Sequence, residues 1–177
     1  MEEQVSVWKA NLTNGVIMGL LGVVFTLVMY FLDLTFSKAP GYIFLAAQII
    51  ILFYMIKSYR NTFRHGYITY GQSVGAGVVI FLYYSVITAI FMYILYKFID
   101  TGLIAKVLAI SEEAMVKRGY SQQIIDTGMA FNKKIMTPEI MALMGIFSSM
   151  LMGTIISLII SILTRKEGNP LVDAPSN

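Results

Sequence analysis

The stretch GVIMGLLGVVFTLVMYFL, from Gly15 to Leu32, is apolar around the whole circumference of a helix. A helix of a soluble protein carries a polar face opposite its apolar stripe, and this stretch has no such face. The hydrocarbon core of a bilayer is about 30 Å thick and takes about 20 mostly apolar residues to cross as a helix. The stretch therefore predicts a membrane-spanning helix.

Three further windows contain no Asp, Glu, Lys or Arg: those between Lys38 and Lys57, Arg64 and Lys97, and Glu139 and Arg165. Of all residues 57% are hydrophobic and 13% charged, whereas soluble domains carry about 25% charged residues. Strands of a membrane barrel would alternate polar and apolar residues, which these windows do not. We predict an all-α fold, an integral membrane four-helix bundle forming a single membrane domain over residues 1–177, with helices at about 11–32, 40–56, 71–96 and 138–163.

The segment at about 97–137 predicts a short amphipathic helical insert between helices three and four. Apolar residues recur there at helical spacing, Gly119 is a stop signal, and Ser121 can cap a second helix. We expect two short helices on the membrane surface. A solvated connection and a partner-binding or pore-capping element both fit this pattern.

The distribution of cations predicts the orientation. An even number of spans places both termini and the turn after helix two on one side. That turn concentrates Lys57, Arg60 and Arg64, and short basic loops favour the cytoplasm. We expect cytoplasmic termini and an extracytoplasmic insert.

Small residues recur at every fourth position in helix four and, more briefly, in helix one. Residues with this spacing share one helix face, and small side chains let two backbones approach closely in lipid. We expect packing within the bundle, with dimerisation as the alternative, and we expect Ile156 to lie off this face. The predicted helix-packing residues are Gly15, Gly19, Gly145, Ser149, Gly153, Ser157 and Ser161.

A polar layer is predicted near the middle of the membrane, formed by Gln48, Tyr84 and Ser149. None of these side chains ionises near neutral pH, whereas proton relays and ion pathways usually contain an ionisable group. Hydrogen bonding between helices is the expected role, and a polar substrate site is the alternative.

The chemical inventory narrows the classes of function. The chain has no cysteine and one histidine, so it offers neither a thiolate metal site nor a histidine cluster for zinc or haem. We expect no catalytic, cofactor-binding or metal-binding residues, no cofactor and no enzymatic activity. The net charge of +3 does not suggest nucleic-acid binding. The expected partners are the lipid bilayer and either further copies of the chain or another membrane protein.

The stretch YRNTFRHGYITYGQSVGAG, from Tyr59 to Gly77, is a basic turn that leads into helix three. Together with four spans, a polar helical insert and a basic tail after helix four, it resembles an uncharacterised family of small bacterial inner-membrane proteins, domain-of-unknown-function 4199. The positions that align are Arg60, Gly66, Gln72 and Gly77. The resemblance implies a topology and a bacterial inner-membrane location, and it implies no activity. We expect an accessory or structural membrane protein, with a small dimeric transporter or channel as the alternative.

Overall fold

The computed structural model describes residues 5–167 and is almost entirely helical. Among these residues there is no strand, only an isolated antiparallel bridge between Ile68 and Lys166. The helices are α1 (Val7–Phe31), α2 (Lys38–Phe63), α3 (Tyr70–Ile94, continued by a π-helical turn, Leu95–Ile99), α4 (Gly102–Lys117), α5 (Gln122–Ile135) and α6 (Pro138–Thr164).

Four helices, α1, α2, α3 with its π-helical turn, and α6, are long and apolar enough to cross a membrane. The predicted all-α, four-span fold is confirmed. Two of the predicted boundaries were wrong. Helix α1 begins at Val7, where the Ser6 hydroxyl accepts a hydrogen bond from the Lys9 amide at 3.3 Å. Helix α2 continues to Phe63 because a charged residue need not end a helix, and cations are favourable in a last turn.

The predicted helical insert is confirmed as α4 and α5. Gly119, just after α4, has a positive φ of 75°, which glycine adopts without strain. Ser121 is the N-cap residue of α5, as its position before the second apolar pattern predicts.

Contacts between residues divide the chain into two compact units. Of the described residues, unit 1 comprises 5–87 and 148–167, and unit 2 comprises 88–147. Unit 1 contains α1, α2 and parts of α3 and α6. Unit 2 contains the remaining parts of α3 and α6 and the whole of α4 and α5.

The core of unit 1 is formed by apolar side chains from all four of its helices. Ile156 belongs to this core and is only 5% exposed, so the expectation that it lies off the packing face was wrong. Residues three apart are neighbours on a helix surface, and the buried face of α6 is wider than the strip of small residues. The core residues are Met18, Leu52, Met55, Ile56, Ile80, Phe81, Ile156 and Ile160.

In unit 2, α4 and α5 pack against each other. A Cβ atom at Gly128 of α5 would lie 2.8 Å from the Met115 Cε atom of α4, so the absence of a side chain at Gly128 allows this approach. Ile125 and Met129 form the buried face of α5. The hairpin therefore has a small apolar interior of its own.

Candidate functional site

Glycines at four positions of unit 1 allow two pairs of helices to approach closely. A Cβ atom at Gly153 of α6 would overlap the Phe81 side chain of α3, and one at Gly77 of α3 would overlap Ser157 of α6. Between α1 and α3, Gly15 faces Tyr83, and a Cβ atom at Gly19 would lie 2.7 Å from Ile87. These contacts place α3 against both α1 and α6.

The small residues predicted as one packing strip on α6 have different environments along the helix. Gly153, Ser157 and Ser161 are buried. Ser149 is half-buried, and Gly145 is exposed, with nothing within 4 Å of the position of a Cβ atom. Spacing shows which residues share a face, but it does not show which part of that face meets a neighbouring helix.

The structure brings together two members of the predicted polar layer, Gln48 of α2 and Tyr84 of α3, whose side chains are hydrogen bonded. Gln48 is 7% exposed, and its Nε2 atom has no hydrogen-bond partner. The Tyr84 hydroxyl therefore donates to the amide oxygen. Tyr84 also packs against the core of unit 1, so this polar pair lies in an apolar environment. The third predicted member, Ser149, is half-buried.

The ends of α2 and α6 and the start of α3 meet in a network that we call the basic end, comprising residues 57–73 and 164–166. Arg60 donates from Nη1 to the Thr164 carbonyl at 3.0 Å. The Ser73 and Thr164 hydroxyls are hydrogen bonded at 2.7 Å, and both residues are buried. A cation at the C-terminus of a helix is favourable because the last carbonyl groups lack partners within the helix. Arg60 thus joins the end of α2 to the end of α6.

Each of the four residues that carried the family resemblance has a structural role in unit 1. The role of Arg60 is the hydrogen bond to Thr164 described above. Gly66 has a φ of 87°, which only glycine adopts readily. Gln72 accepts from the Thr69 amide at 3.2 Å, and the Gln72 amide donates to the Thr69 hydroxyl at 3.3 Å. This reciprocal pair is a capping box at the start of α3. Gly77 allows the contact with Ser157 described above.

Aromatic rings hold two further cations of the basic end. Arg64 donates to the Tyr59 hydroxyl at 3.0 Å, and its guanidinium carbon lies 5.7 Å from the centre of the same ring. The Lys166 ammonium lies 5.3 Å from the centre of the Tyr67 ring. Cations near ring faces are attracted electrostatically. The basic end is therefore a structured surface as well as a cluster of charge.

Two ion pairs lie in unit 2. The Lys97 ammonium lies 2.6 Å from a Glu139 carboxylate oxygen and also donates to the Tyr93 hydroxyl at 2.7 Å. The local sequence does not predict this pair, although both residues stand at edges of uncharged windows. On α4, Glu113 and Lys117 form an ion pair at 2.7 Å. The hydrogen bond from Lys117 lowers the pKa of the Glu113 carboxyl below its usual value.

The hairpin of unit 2 has an open groove of about 410 Å³. Its lining combines apolar and polar side chains. In residues 5–167 no three His, Cys, Asp or Glu side chains lie close enough together to hold a metal ion. The residues that line the groove are Met115, Gln123, Ile124, Thr127 and Gly128.

Comparison with known proteins identifies a family. Neither the curated proteins nor the solved structures provide a match. The family model described as protein of unknown function (DUF4199) matches residues 13–166. The match covers the insert, the turn positions Arg60, Gly66, Gln72 and Gly77, and all four candidate spans apart from the first residues of α1. The chain therefore belongs to the DUF4199 family.

Proposed function

We propose that this protein is a non-enzymatic accessory protein of a bacterial inner membrane that acts through contacts of its helices and its insert. The observation that carries the proposal is the filled centre of unit 1. Phe81 occupies the space left by Gly153, and Ser157 occupies the space left by Gly77. Interdigitation of this kind favours a stable scaffold.

The polar pair supports the same interpretation. Gln48 and Tyr84 are hydrogen bonded to each other, and Tyr84 packs against the core that contains Leu52, Ile80 and Phe81, each at most 2% exposed. A hydrogen bond between helices in a membrane contributes about 0.6 to 2 kcal/mol. Helix association is thus a sufficient role for this pair.

A second candidate function is a small dimeric transporter or channel. The observation that favours it is the Nε2 atom of Gln48, which is buried and lacks a partner. An unsatisfied buried donor is costly, by about 1 to 3 kcal/mol. A polar substrate passing through unit 1 would satisfy this donor.

Substitution of Gln48 distinguishes the two functions. Gln48→Leu removes the unpaired amide and keeps a similar volume, and Tyr84→Phe removes only the hydroxyl. For an accessory protein, both variants should complement a deletion strain as the native chain does, with small changes in melting temperature in detergent. Loss of complementation by Gln48→Leu at unchanged protein level and melting temperature would refute the accessory role and support transport.

The proposed orientation places the termini and the basic end in the cytoplasm and the insert outside. The chain has no cysteine, so a single introduced thiol reports one position. Lys57 and Lys117 are both exposed, and neither is used above as a contact between helices. In intact cells, an impermeant maleimide should label Lys117→Cys, and it should label Lys57→Cys only after permeabilisation. The reverse pattern would invert the topology.

A further inference from the structure

Helix α5 carries two apolar strips, and the structure buries only one of them. Ile125 and Met129 are buried, whereas Ile124, Phe131 and Ile135 are 52%, 62% and 36% exposed. At about 100° per residue, the three exposed residues fall within about 40° of one another and about 100° from Ile125. They form a continuous surface, which we call the exposed strip.

The charge beside the exposed strip is positive. Lys133 and Lys134 occupy the last turn of α5, and both are exposed. Lys134 lies about 80° around the helix from the middle of the strip, whereas Lys133 lies on the opposite face. The acidic residue of this helix, Asp126, accepts a hydrogen bond from Gln122 at 2.9 Å. An apolar strip next to an exposed lysine is the pattern of a helix that lies in the interface of an anionic membrane.

The chain connection places the exposed strip close to the membrane. Only Met136 and Thr137 separate α5 from α6, so the Cα atoms of Ile135 and Pro138 can be at most about 11 Å apart. The 27 residues of α6 extend about 40 Å, which is longer than the hydrocarbon core of about 30 Å. The first turn of α6 therefore reaches the headgroup layer, and the end of α5 lies near the same level.

We propose that α5 docks on the bilayer surface, with Ile124, Phe131 and Ile135 inserted at the boundary of headgroups and acyl chains and Lys134 bound to the phosphates of anionic phospholipids. The proposal rests on the proposed function only in taking the four apolar helices as membrane spans. Lipid is the partner that covers the exposed strip. A second copy of the chain or another protein would cover this strip without contact with acyl chains.

Single-tryptophan variants of the full chain test this docking. Trp8→Phe removes the native tryptophan, and Phe131→Trp then places the probe on the exposed strip. Ala130→Trp is the matched control, because Ala130 is an exposed neighbour about 100° around the helix. Both variants are reconstituted in phosphatidylcholine and phosphatidylglycerol vesicles, with and without brominated acyl chains. Iodide in the buffer provides the complementary quencher.

Brominated lipid should quench the tryptophan fluorescence of Phe131→Trp at least about twofold more strongly than that of Ala130→Trp. Iodide should quench the two variants in the opposite order. Ile124→Trp should behave as Phe131→Trp does. Lys134→Ser should reduce quenching of the strip in anionic vesicles, whereas Lys133→Ser, on the opposite face of α5, should change it little. Strong iodide quenching of Phe131→Trp without lipid quenching would refute the docking, and protection from both quenchers would assign the strip to a protein partner. Either result would leave the accessory function to be judged by Gln48→Leu.

Discussion

The two halves of α6 carry the same repeat of small residues and have different environments. At Gly153, an added Cβ atom would overlap Phe81, whereas at Gly145 it would meet nothing within 4 Å. Ser157 and Ser161 are buried, but Ser149 is only half-buried. A repeat of small residues therefore permits close packing, and it becomes a contact only where a neighbouring helix supplies a large side chain.

Two basic residues of α2 also have different environments despite their similar positions in the sequence. Arg60 and Lys57 lie one turn apart near the end of α2, and their sequence context is similar. Arg60 donates to the final carbonyl of α6, while Lys57 is exposed. The charge pattern predicts that both favour one side of the membrane, but only the structure distinguishes a cation that joins helices from one that contacts solvent or headgroups.

The largest effect is expected from substitutions in the strip of α6. Gly153→Leu inserts a side chain where Phe81 already lies, and because even its Cβ atom would overlap the ring, we expect a cost of about 3 kcal/mol or more. Gly145→Leu is the matched control and should change stability little. Melting temperatures in detergent measure the difference. Equal tolerance of both changes would show that the close contact between α3 and α6 does not form.

An intermediate effect is expected at the basic end. Arg60→Ala removes a hydrogen bond in which the donor is charged, and such bonds contribute about 1.5 to 3 kcal/mol. Lys57→Ala removes the same charge without this bond and serves as the control. Urea or thermal unfolding should show a clear loss for Arg60→Ala and a small change for Lys57→Ala. Similar losses in both variants would mean that net charge, and not the cap on α6, stabilises this end.

The smallest effect is expected for the exposed pair on α4. Because Lys117 lowers the pKa of Glu113, the pair stabilises α4 above the ordinary pKa of a glutamate. This stabilisation is lost as the pH falls through the lowered pKa. The protection factors of the α4 amides, which compare exchange with the intrinsic rate at each pH, should therefore fall slightly in acid, and Glu113→Gln should remove that dependence. Solvent screens this pair, so a large acid effect that persists in Glu113→Gln would have another origin.

The architecture could be predicted from sequence because lipid imposes strong constraints on composition. Gly15 to Leu32 has to be helical if it crosses a bilayer, since a helix satisfies its own backbone groups where no water is present. Gly119 and Ser121 likewise marked the turn inside the insert. The uncharged window closes at Lys57 and therefore predicts too early an end for α2. Charge limits the part of a helix that lies in lipid, but the helix itself continues to Phe63.

The candidate sites could be predicted only in part. Spacing identified Gly153 and Gly145 together, and composition identified Gln48 as an amide in a span. Neither signal could show that Phe81 meets Gly153, that Tyr84 hydrogen bonds to Gln48, or that Ile156 is buried in the core. The pair of Lys97 and Glu139 joins residues 42 positions apart, and nothing in the local sequence links them.

The sequence by itself determined that four helices can cross a membrane, that a helical hairpin connects the last two, and that glycines permit close approach on particular faces. These properties follow from local hydrophobicity and backbone freedom. Only the tertiary structure decided which glycines meet a side chain, which cation caps α6, and which strip of α5 remains exposed. The physical reason is that each of these outcomes depends on a partner distant along the chain, and a contact acquires its energy only when folding brings both partners together.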